Sequence, residues 1–146
     1  AASTAAETIT ITKNGAVINT EAQNVYFQLN PYKPLGGINV GNGQYTVAAN
    51  QVFLPTNATV GQTGQGDTET TYTDKSLSTI YSTATQTWSL LADTPTTAWF
   101  CVNTVMKIIN PATTIPGDVC YQIDTSGSTL GLKLDITISG TTLNFR

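Results

Sequence analysis

The chain carries nine carboxylates and no histidine among its 146 residues. Without an imidazole, a serine or threonine nucleophile lacks its usual general base, and no motif indicates a serine–lysine pair. The carboxylates are dispersed, so their spacing does not indicate the facing pair of a glycosidase. They are Glu7, Glu21, Asp67, Glu69, Asp74, Asp93, Asp118, Asp124 and Asp135. We therefore predict that the protein is not an enzyme, with no catalytic residues and no cofactor.

Two groups of side chains are candidates for metal binding, and neither is favoured. Asp67 and Glu69 lie in a stretch rich in Gly and Thr and could hold calcium, but two carboxylates fall short of a dedicated loop. A solvated turn is the favoured interpretation. Cys101 and Cys120 cannot complete a zinc site without histidine. In the exported chain that we expect, an even cysteine count favours a disulfide over two buried thiols. This disulfide would stabilise the fold by about 3 kcal/mol.

Two features of the sequence could involve carbohydrate. Asn57 begins the sequence Asn-Ala-Thr, an acceptor for N-glycosylation in a predicted loop. Trp88, Trp99 and the tyrosines could form a sugar-binding platform. Because Trp99 and several tyrosines lie in strand-like runs, a place in the core or at its rim is the favoured interpretation.

The polarity of the chain comes from hydroxyls and amides more than from charges. Only 10% of residues are charged, against roughly 25% in ordinary soluble domains. Threonine alone contributes 28 residues, and the net charge is −3. The negative net charge argues against nucleic acid as a partner. The low charged fraction suits an extracellular setting or dense packing against identical copies. The alternative is drift in a Thr-rich surface protein. With so few carboxylates, we expect unfolding near pH 2 to resemble that at pH 6.

Length and apolar content bound the organisation. A chain of this size fits one domain, and its first residue is Ala rather than Met, from which we expect that a leader has been removed. No apolar run approaches the ~18 residues of a membrane span. We predict a soluble, secreted chain.

Hydrophobic residues recur with a period of two, which is typical of strands. Large aliphatic residues occupy every even position from 130 to 138, and similar alternation marks residues 7–13, 25–29 and 119–123. Further strand candidates are residues 44–48, 51–54, 70–73, 77–82, 87–91 and 98–109. Short strands without helices predict an all-β protein, an immunoglobulin-like or jelly-roll-like sandwich or a small barrel.

Turn residues divide these strands. Asn14-Gly15 and Ser139-Gly140 separate strand-like runs and predict tight hairpins. Residues 61–67 form the longest polar gap and predict a flexible surface loop. A long connection carrying Pro111 and Pro116 is expected between the two cysteine strands, so that the disulfide ties neighbouring strands or two sheets.

The N-terminal segment gives the sharpest functional indication. A featureless lead of small residues, 1–6, precedes an amphipathic strand of ~23 Å. Such a strand could insert beside an open sheet edge of another molecule. The predicted donor residues are Thr8, Ile9, Thr10, Ile11 and Thr12. The alternative is that this run is simply the first strand, paired with residues 16–19 across the Asn14-Gly15 turn.

With its alternating residues 7–13 and 130–138 and its Thr-rich, charge-poor background, the chain resembles subunits of extracellular filaments that assemble by donor-strand complementation. These include chaperone–usher pilins and the thread filaments of thermoacidophilic archaea. The resemblance implies an incomplete immunoglobulin-like sandwich whose groove accepts a neighbour's N-terminal strand. It also implies surface glycans, for which Asn57 is the matching residue.

We therefore expect a donor strand over residues 1–13 and one β-sandwich domain over residues 14–146. The expected function is that of a cell-surface filament subunit serving adhesion or biofilm formation, with identical subunits as partners and no membrane span. A carbohydrate-binding adhesin, with surface glycans as partners, and a viral capsid or spike protein are the alternatives.

Overall fold

A computed structural model describes residues 2–13, 16–29, 33–50, 52, 55–138 and 140–145. Within these ranges the chain forms ten strands and no helix. The strands are β1 (Ser3–Lys13), β2 (Ala16–Gln28), β3 (Lys33–Asn39), β4 (Tyr45–Asn50), β5 (Thr63–Tyr72), β6 (Ile80–Thr94), β7 (Thr97–Ile108), β8 (Thr113–Asp124), β9 (Thr129–Ile138) and β10 (Thr141–Phe145). The predicted turn at Asn14-Gly15 and most of the predicted strand at 51–54 lie outside the described residues, as does Ser139 of the second predicted hairpin.

The ten strands form one antiparallel sheet in which each strand pairs with its neighbours in sequence. The all-β prediction is confirmed. In the described strands the sheet is open, with β1 and β10 at its edges, and a sandwich or jelly roll is not confirmed. Within the predicted donor segment at residues 1–13, residues 3–13 form the first strand of this sheet and pair with β2 from Ser3↔Phe27 to Lys13↔Ala16. The prediction that residues 1–6 are only a featureless lead is wrong for residues 3–6, because they belong to β1.

Alternation along the strands divides the sheet between β6 and β10 into two chemically different faces. One face carries mostly aliphatic and aromatic side chains, and we call it the apolar face. Its rows of paired residues are Trp88↔Val102↔Val119↔Leu134 and Leu90↔Phe100↔Tyr121↔Leu132. The opposite face carries Cys101↔Cys120↔Lys133 and Asn103↔Asp118↔Asp135. The period of two in the sequence therefore corresponds to a chemically two-sided sheet.

The buried core is small and lies at β6 to β8. Among the described side chains, the buried hydrophobic residues are Trp88, Leu90, Cys101 and Cys120. The indole of Trp88 stacks on the ring of Phe100, with 6.3 Å between centroids. Loop residues 55–60 lie over the Leu90 end of the apolar face and line a 480 Å³ cavity with it.

The prediction of a flexible loop at residues 61–67 is wrong, because β5 begins at Thr63. Its glycines misled the sequence interpretation. Gly64 lies opposite Trp88 on β6, and a Cβ there would lie 2.5 Å from the indole Nε1. A Cβ added to Gly66 would likewise lie 2.9 Å from the Cβ of Gln86. Glycine within a strand marks close approach of a neighbour here, not flexibility.

The disulfide joins Cys101 of β7 to Cys120 of β8, directly opposite each other in the ladder. The predicted pairing between neighbouring strands is confirmed. The predicted long connection is wrong, since a turn over residues 109–112 links the strands and Pro116 belongs to β8, opposite Val105. Proline fits there because the described pairing of β8 with β9 begins only at Gly117.

The folded chain exposes more surface than its mass predicts. Its accessible surface is 9325 Å², whereas a compact monomer of 15.4 kDa exposes about 7,200 Å². The excess of about 2,100 Å² follows from the single-layer sheet, since the described residues place no second layer over most strands. Many large apolar side chains are consequently exposed on both halves of the sheet.

Candidate functional site

Three aspartates are engaged in turns. Asp124 accepts hydrogen bonds from the Ser126 hydroxyl (2.6 Å), the Ser126 amide (2.8 Å) and the Ser128 amide (3.0 Å), and these donors lower the pKa of its carboxyl. Asp93 accepts from the Thr97 hydroxyl (2.6 Å) and the Gln122 side-chain amide (2.7 Å), which lower its pKa. Asp124 therefore holds the backbone of the turn before β9, whereas Asp93, at the end of β6, links Thr97 and Gln122 through their side chains.

Asp74 repeats this arrangement before β6. It accepts a hydrogen bond from the Ser76 amide at 2.7 Å, and hydrogen bonds from Ser76 lower its pKa. The lower pKa shows that the fold favours the ionised form, as it does for the other two turn aspartates.

Asp67 and Glu69, the considered calcium ligands, lie in β5 and not in a turn. Asp67 accepts a hydrogen bond from the amide of Val52 at 2.7 Å, and this contact holds Val52 against β5. Burial, and then the nearby charge of Asp67, raise the pKa of Glu69. Among the described residues, no three potential metal ligands of the His, Cys, Asp and Glu types are grouped together.

Glu69 shares a cavity of 270 Å³ with Glu7, a residue 62 positions earlier in the sequence. Glu7 accepts a hydrogen bond from the Gln23 side-chain amide at 2.7 Å, and Val25 and Phe27 supply apolar walls. The dispersed spacing did not indicate that these two carboxylates meet on one cavity. The structure brings them there because residues of β1, β2 and β5 point to the same side of the sheet.

The predicted donor residues lie in a projecting part of the sheet. The β2–β3 ladder begins at Gln23, so the outer part of the first hairpin has only two strands. We call residues 9–13 of β1 and 16–21 of β2 the arm. In the arm, Ile9 pairs with Glu21 and Ile11 with Asn19, while Thr8 pairs with Ala22 at its base. This intrachain pairing corresponds to the alternative considered for the first strand.

The arm exposes apolar side chains. Ile9 is 49% exposed, and on the partner strand Val17 and Ile18 are more than half exposed. The alternating pattern indicates Ile9 and Ile11 as donor-strand residues but does not indicate Val17 and Ile18. Their consecutive β-branched side chains just after a predicted turn were the available signal.

The sequon residue Asn57 lies in the exposed loop that lines the 480 Å³ cavity, together with Phe100 and Ile123 from the sheet. Its glycosylation stays a prediction. The two tryptophans do not form one platform. Trp88 is buried on the apolar face, whereas Trp99 lies on the opposite face with the Lys133 ammonium 4.2 Å from its ring centroid.

The apolar face is the second region able to bind another molecule. Over β8 to β10 its side chains reach solvent, with Tyr121, Leu132 and Leu143 all exposed by more than a third. The alternation of residues 130–138 predicted a face resting on a core. The sequence did not indicate that the described residues leave this part of the face exposed.

No helix in the described part of the chain is long and apolar enough to cross a membrane. Comparisons with protein-family models, with curated proteins and with solved structures find no match.

Proposed function

We propose that this protein is a structural subunit of an extracellular filament, joined to its neighbour through its N-terminal strand. The observation that carries the proposal is the arm: a two-stranded ribbon with exposed isoleucines, formed by the terminal strand of an unclosed sheet. Two-stranded ribbons are marginally stable in water. An element of this kind gains most from pairing with another molecule.

The energetics favour exchange of the β1 part of the arm. If β1 leaves β2 and pairs with an edge strand of the next subunit, one ladder of backbone hydrogen bonds replaces another. The gain then comes from Ile9 and Ile11, which are incompletely buried in the arm. Full burial of an exposed isoleucine is worth roughly 1.5–3 kcal/mol, and the half-exposed Ile9 would gain about half of that.

Other features agree with a secreted, self-associating subunit. The disulfide suits an oxidising compartment. Low charge limits repulsion between copies, and the 9325 Å² of exposed surface leaves area for contacts. The predicted sandwich would arise on assembly, when a second layer covers the single sheet. Adhesion or biofilm formation is the proposed role of the resulting filament.

A single-residue comparison tests the donor strand. Ile9→Asp places a charge in the donated strand, whereas Ile18→Asp places the same charge on β2, at a side chain of similar exposure, 58% against 49%. We expect Ile9→Asp to abolish polymers seen by electron microscopy, since an unpaired buried charge is severely unfavourable. Ile18→Asp should still polymerise.

Deletion of residues 1–12 provides the second measurement. We expect the deleted chain not to polymerise, and added peptide of sequence 1–13 to bind it. Polymers of normal stability after the deletion would contradict strand donation. Loss of polymers with both aspartate variants would also contradict it, because the arm would then dock as an intact hairpin. Closed shells in place of filaments would indicate a capsid.

A further inference from the structure

The apolar face carries no charge between β7 and β10 among the described side chains. Ladder pairing assigns Lys107, Asp118, Lys133 and Asp135 to the opposite face, with Cys101 and Cys120. The apolar face instead presents aliphatic and aromatic residues with a few threonines and one glycine. They are Ala98, Phe100, Val102, Thr104, Met106, Ile108, Thr113, Ile115, Gly117, Val119, Tyr121, Ile123, Leu132, Leu134, Ile136, Thr141, Leu143 and Phe145.

The area of this face is sufficient for a stable contact. The four strands have five to twelve residues each and together present about 600 Å² in projection, of which the end with Phe100 and Ile123 lies against the loop at residues 55–60. About 500 Å² remains, and covering it on two molecules removes at least about 1,000 Å² from solvent, the minimum expected of a biological interface.

We infer that the apolar face of β7 to β10 packs against the same face of a second copy, forming a two-layer sandwich between chains. A twofold contact sets each patch against itself, so any charge near the axis would meet its own copy. A face without charges avoids this repulsion, and here the lysines and aspartates of these strands all point away. Two such sheets pack about 10 Å apart with interdigitating side chains.

This inference concerns a surface distinct from the arm and does not rest on strand donation. The loop at residues 55–60 already covers the Leu90 end of the face. The contact therefore centres on β8 and β9, where Tyr121 and Leu132 form a pair across the ladder. A second copy fits this face because a uniformly apolar patch is complementary to itself.

Leu132 and Leu91 provide a matched pair of variants in the full chain. Leu132 is 54% exposed on the apolar face, and Leu91 is 46% exposed on the opposite face, paired with Trp99. We expect Leu132→Asp to raise the dissociation constant of the dimer at least about 100-fold, since it buries two unpaired charges. Leu91→Asp should leave it within about 3-fold. Analytical ultracentrifugation measures both, with near-UV circular dichroism to verify folding.

A photo-cross-linking residue at position 132 provides an independent measurement that needs no destabilising charge. Cross-linked dimers joined within β7 to β10 of both chains would support the inference. A chain that stays monomeric at high concentration would overturn it, as would dimers that survive Leu132→Asp or depend equally on Leu91. The two proposals can be tested independently. If the face-to-face contact is lost, Leu132→Asp should leave filaments with half the mass per length. If strand donation is lost, Ile9→Asp should remove the filaments.

Discussion

The arm and the β6–β8 region have similar sequence patterns and opposite burial. Both alternate large apolar with polar residues: Ile9 and Ile11 alternate with threonines in the arm, and Trp88 and Leu90 alternate with Thr87 and Ser89 in β6. In β6, Trp88 and Leu90 are 8% and 7% exposed, whereas Ile9 in the arm is 49% exposed. The local pattern therefore specifies a strand in each place but does not specify how deeply the strand is buried.

The difference arises from neighbours. β6 has β5 on one side and β7 on the other, and residues 55–60 lie over its apolar side. The main chain of Leu90 donates to Gln62 and accepts from Gly61, so the covering loop is held at that strand. The arm has one partner strand and no cover among the described residues. Stability should therefore be concentrated in β6 to β8, with capacity for binding in the arm.

The strongest test of this contrast is the same truncation in both regions. Leu90→Ala removes buried methyl groups and leaves a cavity, so we expect a loss of about 2–5 kcal/mol in the free energy of unfolding. Ile9→Ala removes a half-exposed side chain and should cost less than about 1 kcal/mol. Urea unfolding followed by tryptophan fluorescence measures both. Equal losses would show that the arm belongs to the cooperative core.

The sequence predicted the strands well because alternation is a local property. The strand at 98–109 corresponds to β7, and the strands at 7–13 and 119–123 lie within β1 and β8. The single-layer arrangement was not predictable, since it depends on which faces find a cover. The same limit applies to the candidate site: Ile9 and Ile11 were identifiable, but the projection of the arm depends on where the β2–β3 ladder begins.

A second test separates close packing from mere strand structure. Gly64→Ala would place a Cβ within 2.5 to 2.8 Å of the Trp88 indole, so we expect a loss of about 1–3 kcal/mol. Gly117→Ala is the control in β8. A Cβ there meets its nearest atom at 3.5 Å, which is ordinary contact, and should change stability by less than about 0.5 kcal/mol. Thermal unfolding of both variants measures the contrast, and a neutral Gly64→Ala would contradict the packing of Trp88.

Gly64 and Gly66 explain why the sequence predicts a loop at residues 61–67, where the structure has the start of β5. In sequence, Gly64 and Gly66 lack the side chains by which strands are recognised. In the structure they are strand residues whose missing Cβ atoms make room for Trp88 and Gln86. The signal lay in the bulky partner on β6, 24 residues away from Gly64, and only pairing shows it.

The smallest expected effects concern pH, and they have opposite signs in the two halves. Burial raises the pKa of Glu69 above 4.5, so its ionisation opposes folding, and stability is lost as pH rises through the raised value. Hydrogen bonds lower the pKa of Asp124 below 3.8, so its contribution is present above 3.8 and is lost as pH falls through the lowered value. The near-equality of stability at pH 2 and pH 6 predicted from composition would then reflect partial cancellation.

Two isosteric variants separate these opposing contributions. Glu69→Gln should be more stable than the wild type at pH 7 and indistinguishable from it at low pH, where Glu69 is protonated in both states. Asp124→Asn should be less stable at pH 7, with the difference vanishing below its lowered pKa. Urea midpoints measured from pH 2 to pH 7 give both profiles. A Glu69→Gln profile parallel to the wild type would show that neither desolvation in the cavity shared with Glu7 nor the nearby charge of Asp67 raises the pKa of Glu69 in solution.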